Sequence, residues 1–246
     1  MEKLFDKYVW QARALPAFLT FLPMLIAFLA WDAKIEETTK PLVAAVAGAG
    51  MVTLLASLTR NAGKKAEERM VKRRGGLPAT ILLRHSDAML ENGTKRRYHE
   101  ALAKMMPTTK APSPKQEAAN GANADQTYQT WVRYLLGKTR EKKKFDLVFT
   151  ENMEYGFRRN LFGLKPLGIA IALVSAVACL WKIVLVHHMK ASVTVFEIAC
   201  LLGCAAMVVA WAFAINENWV WSAGNAYALR LLEAIDQLPE PAKLAE

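Results

Sequence analysis

Acidic residues are missing altogether from four stretches of 17 to 21 residues: Leu15–Trp31, Pro41–Leu58, Pro166–Val186 and Ile198–Ile215. Such runs exclude an ordinary soluble domain, because each approaches the roughly 20 apolar residues that a helix needs to cross the hydrocarbon of a bilayer. Lys182 is the one charge inside them. It stands four residues from the end of its run, where a long stem lifts an ammonium to the interface; a proton-relay role is the alternative. Cysteine is scarce too. Cys179, Cys200 and Cys204 all fall within the runs, which excludes an extracellular disulfide framework and offers no zinc site with a histidine nearby. Together with Gly203 and Met207, Cys200 and Cys204 form a small-residue face suited to helix contact. Neither HExxH nor GxSxG occurs. Gly137, Lys138 and Thr139 end like a phosphate-binding loop, but Val132 stands where the first glycine is required. Nothing nominates a nucleophile or a base, so no enzyme and no cofactor is expected.

What is present in excess is positive charge, 32 Lys+Arg against 22 Asp+Glu. Between Thr59 and Lys165 there are 23 of the basic residues and 11 of the acidic ones, and the rest of the chain is slightly acidic. The predicted fold is therefore an all-α membrane protein with four transmembrane helices and a basic, mostly helical cytoplasmic insert between spans 2 and 3. Its parts are an interfacial amphipathic helix over 1–14, a first transmembrane hairpin over 15–58, the basic domain over 59–165, a second hairpin over 166–215 and a cytoplasmic C-terminal helix over 216–246. The two short loops, 32–40 and 187–197, hold three lysines, whereas seven Lys/Arg follow the second span within Arg60–Arg74. By the positive-inside rule the insert and both termini are expected to be cytoplasmic. The first run is read as a permanent span and not as a cleaved signal, because no small-x-small pattern follows it.

Within the insert, a charged helix over 60–74 breaks at Gly75 and Gly76. A second begins at Pro78, a good first helical position, carries Ile81, Leu82, His85 and Met89 on one side, and stops at Asn92 and Gly93. Thr94 is placed to cap a third helix, Lys95–Met106. Residues 107–125 show no periodicity and read as a mobile linker. Helical spacing resumes at Tyr128, Trp131, Val132, Leu135 and Leu136, and again from Phe145 to Met153, with the last helix expected to run without interruption into the third span. Gly156 and Gly163 are read as places where that helix bends. Beyond the fourth span, Val220, Gly224, Tyr227, Leu231, Ile235 and Leu238 form a stripe expected to pack on protein.

Thirteen of the insert's cations, Arg84 to Lys144, lie beyond the reach of the orientation rule. The densest group follows Asn92, Gly93 and Thr94: Lys95, Arg96, Arg97, Tyr98 and His99. Free amides and the positive end of the helix dipole favour an anion there, the two rings offer stacking surfaces, and Arg84 and His85 lie on the preceding helix. The combination suits a phosphate-bearing ligand such as a single-stranded oligonucleotide. Contact with anionic membrane lipids and a plain solvated face are the alternatives. Arg158, Arg159 and Asn160, six to eight residues ahead of the third span, are candidates to couple such a ligand to the membrane.

Three segments, Gly75–His85 (GGLPATILLRH), Thr94–Leu102 (TKRRYHEAL) and Glu154–Pro166 (EYGFRRNLFGLKP), in a chain of two spans, a basic helical insert and two more spans, resemble the four-span membrane effectors of bacterial antiphage defence, those of the HalB type in Hailong systems. The resemblance implies a homo-oligomeric, tetrameric ion channel whose cytoplasmic domain binds a DNA oligomer made by a nucleotidyltransferase partner, the oligomer restraining the channel until infection removes it. A small transporter, or a membrane anchor that recruits nucleic acid or anionic lipid without conducting, is the rival reading.

Overall fold

The computed structural model describes residues 7–31 and 40–239, with the side chains of 40–55 outside the described set. Among the described residues the chain is all helix, with no strand. The elements are α1 (Lys7–Trp31), α2 (Lys40–Arg74), α3 (Pro78–Leu83), α4 (Asn92–Met105), α5 (Pro114–Ala119), α6 (Gly121–Lys138), α7 (Asp146–Gly163), α8 (Lys165–His188), α9 (Val195–Ala214) and α10 (Glu217–Glu233). Three of them, α1, α8 and α9, are long and apolar enough to cross a membrane by length and composition. Two compact units form: Met1–Arg69 with Met153–Val220, and Met70–Asn152 with Trp221–Glu246. The divides fall inside α2, α7 and α10, so 59–69 and 153–165 belong with the apolar helices and not with the rest of the insert.

In the apolar unit α1, α8 and α9 pack on one another through small side chains. Ala27, Ala30, Cys179, Cys200 and Cys204 are buried as one cluster, which is the packing role expected of the cysteines. Their outward neighbours, among them Phe28, Val177, Leu180, Leu202 and Phe213, are large, apolar and exposed, a surface fit for lipid. Two wide turns interrupt the α geometry, Trp10–Ala14 in α1 and Ala210–Ala214 at the end of α9; both are π-helical. The first lies within one helix that runs from Lys7 to Trp31, so the expected separate interfacial helix is, from Lys7 on, the beginning of the first apolar helix; Leu4 and Phe5 are outside the described residues. Lys182 does not reach for solvent. Its ammonium lies 3.2 Å from the buried carboxylate of Glu197 and donates to the carbonyl of Ala30, while Glu197 and Thr194 cap each other at the start of α9.

A second layer of contacts depends on missing side chains. A Cβ on Gly163 would lie 2.5 Å from the carbonyl carbon of Ala62 and 2.6 Å from the nitrogen of Gly63, one on Gly63 would strike Asn160, and one on Gly168 would enter the ring of Trp211. Gly156 faces Ala12 and Tyr8 in the same way, at 3.2 and 3.3 Å. These glycines are notches at helix crossings, and Gly156 lies inside an unbroken α7, so it marks no bend. The chain does turn after Gly163. Leu164, at φ −88° and ψ −2°, stands between α7 and α8, and Lys165 donates to the carbonyls of Ala212 and Ile215 at 2.9 and 2.8 Å. The uninterrupted helix expected from Arg158 into the third span is therefore two helices.

The second unit is a helical domain around Leu82, Leu83, Tyr98, Leu102, Tyr128, Trp131 and Leu135, closed by Leu231, Leu232 and Ile235 after the α10 stripe that was expected to pack on protein. Asn92 and Gly93 lie in the first turn of α4, with Thr94 inside the helix and no side chain capping it, and they do not end the helix before it; α3 stops at Leu83, leaving His85 and Met89 in the connection. The segment 107–125 is a further correction. Ser113 accepts from the amide of Gln116 and Gln116 answers on the Ser113 amide, a reciprocal cap with Pro114 at the first position of α5. Thr109 receives the indole N–H of Trp131 at 2.7 Å and Asp125 meets Arg84, so tertiary contacts hold a stretch whose composition suggested none.

Candidate functional site

The residues chosen from the sequence are brought close together in part, but mostly as structure. Lys95 is 1% exposed and donates to the carbonyl of Asp87. His99 is 4% exposed, with Nε2 2.8 Å from the carbonyl of Leu83 and its ring stacked on Tyr128 and tilted against Trp131. Burial first, then the nearby His85 and Lys95, push its proton affinity down, outweighing the Leu83 hydrogen bond and Glu117, which favour the charged ring. Tyr98 is buried as well, and burial raises its phenol. Neither ring is open to a base. The physical reason is the amphipathic period: positions 95, 98, 99 and 102 lie on the inner side of α4, and of the residues 95–99 Arg96 and Arg97 face out. Arg96 lies 4.0 Å from Glu100, an exposed pair of little energetic weight, and Arg97 is paired with Asp236.

Arg84 and His85 line a cleft of about 540 Å³ with Ser86, Glu117 and Asp125. The guanidinium is held in a fork, Nε to one oxygen of Asp125 at 2.8 Å and Nη2 to the other at 2.7 Å, with Nη2 also donating to the carbonyl of Gly75. Glu117 accepts from the amides of His85 and Ser86 and from the Tyr128 hydroxyl at 2.7 to 3.0 Å. Burial works against its charge, but those donors together hold its carboxyl below the usual range. His85 is spent on the carbonyl of Pro112 at 2.9 Å. The cleft thus has its guanidinium held by Asp125 and the His85 ring held by a backbone carbonyl.

Arg158, Arg159 and Asn160 lie in the other unit and are also engaged. Arg158 binds Glu154 at 2.7 Å and the carbonyl of Trp219 at 3.1 Å, with its guanidinium over the Trp219 ring. Arg159 binds Glu67 at 3.0 Å, and Glu67 also receives the Tyr155 hydroxyl. Asn160 is 1% exposed and donates to the carbonyl of Ala12 at 2.6 Å. These three residues join α1, α2, α7 and α10 within the apolar unit.

The open surface lies elsewhere, on α6 and the turn after it. Asp125, the one acid of α6, is turned to Arg84. The solvent side of the helix then reads Asn123, Gln126, Gln129, Arg133 and Gly137, all exposed and free of carboxylates. Lys138, Arg140, Lys142, Lys143 and Lys144 follow, also exposed. The sequence signal for this face was available: with Tyr128, Trp131 and Leu135 inside, helical spacing places 126, 129 and 133 outside. Among the described residues no group of His, Cys, Asp and Glu is arranged to hold a metal. The chain matches no protein-family model, no curated protein and no solved structure.

Proposed function

We propose that the protein is a four-span, homo-oligomeric channel of the bacterial inner membrane, with the helical unit and both termini cytoplasmic, controlled by a single-stranded oligonucleotide. Helices α1, α8 and α9 supply three spans and the apolar part of α2 the fourth. Four helices per chain enclose little volume, so the pore is formed between several copies, as in the antiphage effectors that the sequence resembles. The observation that carries the ligand is the outer face of α6, amides at its N-terminal half and cations at its end, with its single acid turned inward. Amides pair with base edges and cations with phosphates. The ligand is thereby assigned to α6 and not to Lys95, Tyr98 and His99, which are enclosed.

The test is a planar-bilayer recording of the reconstituted full chain, with and without single-stranded DNA, for wild type and for a variant carrying Gln126→Glu, Gln129→Glu and Arg133→Glu. Wild-type conductance is expected to respond to the oligomer, and the variant to conduct without responding. An unchanged response in the variant removes α6 as the site. No conductance from either protein under any condition removes the channel.

A further inference from the structure

The turn between α6 and α7, residues 139–145, carries more than charge. Lys138, Arg140, Lys142, Lys143 and Lys144 crowd it against Glu141 and Asp146, and two leucines flank it in the open, Leu136 at 40% and Leu147 at 55% exposure. The rings nearby each lie beneath one of these ammonium groups. Phe145 is buried under Lys144, whose ammonium is 5.4 Å from the ring centre, and Lys142 and Lys138 lie 4.6 and 5.5 Å over Phe149 and Tyr134. Nucleic acid uses the cations alone, for its phosphates. Exposed leucines among lysines have no part in that chemistry. A membrane interface takes both, apolar side chains at the acyl boundary and ammonium groups at the anionic headgroups.

We infer that the α6–α7 turn is a docking element for an anionic phospholipid surface, with Leu136 and Leu147 as insertion points and Lys142, Lys143 and Lys144 as the headgroup contacts. This surface adjoins the α6 face assigned to the oligonucleotide, meeting it at Gly137 and Lys138, and stands whether or not that ligand exists. The turn would give the helical unit a reversible, salt-sensitive hold on lipid, distinct from the permanent one of the spans.

Gly137 provides the probe position, since nothing lies within 4 Å of where its side chain would begin and the native cysteines are buried. The full-length Gly137→Cys protein, labelled with a polarity-sensitive fluorophore, is reconstituted in phosphatidylcholine with or without phosphatidylserine, using brominated lipids as quenchers. Quenching is expected only with phosphatidylserine, and it should disappear at high salt. Lys142→Gln with Lys143→Gln and Lys144→Gln should weaken docking roughly 100-fold. Leu136→Ser with Leu147→Ser should weaken it while leaving its salt dependence unchanged. Equal quenching in both lipids overturns the inference, as does a triple-Gln variant that docks like wild type. It is overturned equally if the triple-Gln change abolishes single-stranded DNA binding and leaves quenching intact, which would make the turn a nucleic-acid surface.

Discussion

Replacing Gly163 and Gly137 by alanine makes the same chemical change at two helical positions, and the structure requires opposite outcomes. At Gly137, the second-last residue of α6, the added methyl meets nothing within 4 Å, so the effect is a small gain, at most about 0.5 kcal/mol, the low end of the value for a helix interior. At Gly163 the methyl meets three backbone atoms of Ala62 and Gly63 at 2.5 to 2.6 Å, and no side chain can rotate away. The crossing of α2 and α7 must open, and overpacking of that kind costs about 1–3 kcal/mol. The upper half of that range applies, because backbone moves only with its whole helix. Gly163 ends its helix, so the propensity gain that would offset the cost is small. A net loss of about 2 kcal/mol corresponds to a melting temperature lower by roughly 4–8 °C, against a rise of at most about 2 °C for Gly137→Ala. Gly63→Ala should add less than its own cost to Gly163→Ala, since both open one crossing and neighbouring changes couple. Thermal unfolding of the purified protein in detergent, monitored by circular dichroism, reads all three. A Gly163→Ala protein as stable as wild type would refute the close crossing and the helix arrangement built on it.

Two further outcomes follow from the helical unit. Arg84→Met strands the carboxylate of Asp125, and with both partners 22% exposed the loss is expected near 2–3 kcal/mol, below that of a fully buried pair; Asp125→Leu in the same chain should recover part of it, as thermal unfolding of the single and double variants would report. His99 binds its proton more weakly folded than unfolded, so the unfolded chain takes up more protons as pH drops below about 6.5 and stability is lost in that direction while rising toward neutral pH. Melting temperatures measured down to pH 5 should fall, and His99→Gln should flatten that slope, with His85, Lys95 and Glu117 facing the same ring and contributing what remains.

Periodicity in the sequence recovered what depends on a single helix seen from its core. The inner sides of α6, α10 and the turn that follows α10 were legible because Tyr128, Trp131, Leu135, Leu231 and Ile235 recur at helical intervals and are buried. The site was less legible. The helical period that buries Tyr98 and Leu102 applies equally to Lys95 and His99, but the polar and aromatic character of 95, 98 and 99 drew a ligand reading, which the internal carbonyl partners of Lys95 and His99 make unnecessary. Charge pairing across long separations, Arg84 with Asp125 or Arg159 with Glu67, leaves no local pattern at all. In 107–125 the cap Ser113, Pro114 and Gln116 was a readable start signal, outweighed by the lack of an apolar stripe in a six-residue helix that buries none of its side chains. The glycine notches had no signal either, because a glycine at a crossing and one in the open look alike until the partner backbone is placed.

The two wide turns also bear on how the chain tolerates changes in length. A π turn holds one residue more than an α turn, so the faces before and after Trp10–Ala14 are out of step by about 100° relative to a uniform α-helix. A one-residue deletion inside that turn can be absorbed by closing it to ordinary α geometry, with α1 downstream keeping its orientation. The same deletion at Leu22 would have no such reserve, and would rotate Thr20 and Pro16 relative to Ala27 and Ala30, parting buried positions that now share one helix. The region around residues 10–14 is therefore where the first helix can lose a codon and keep the contacts of its later positions, from Pro16 to Ala30.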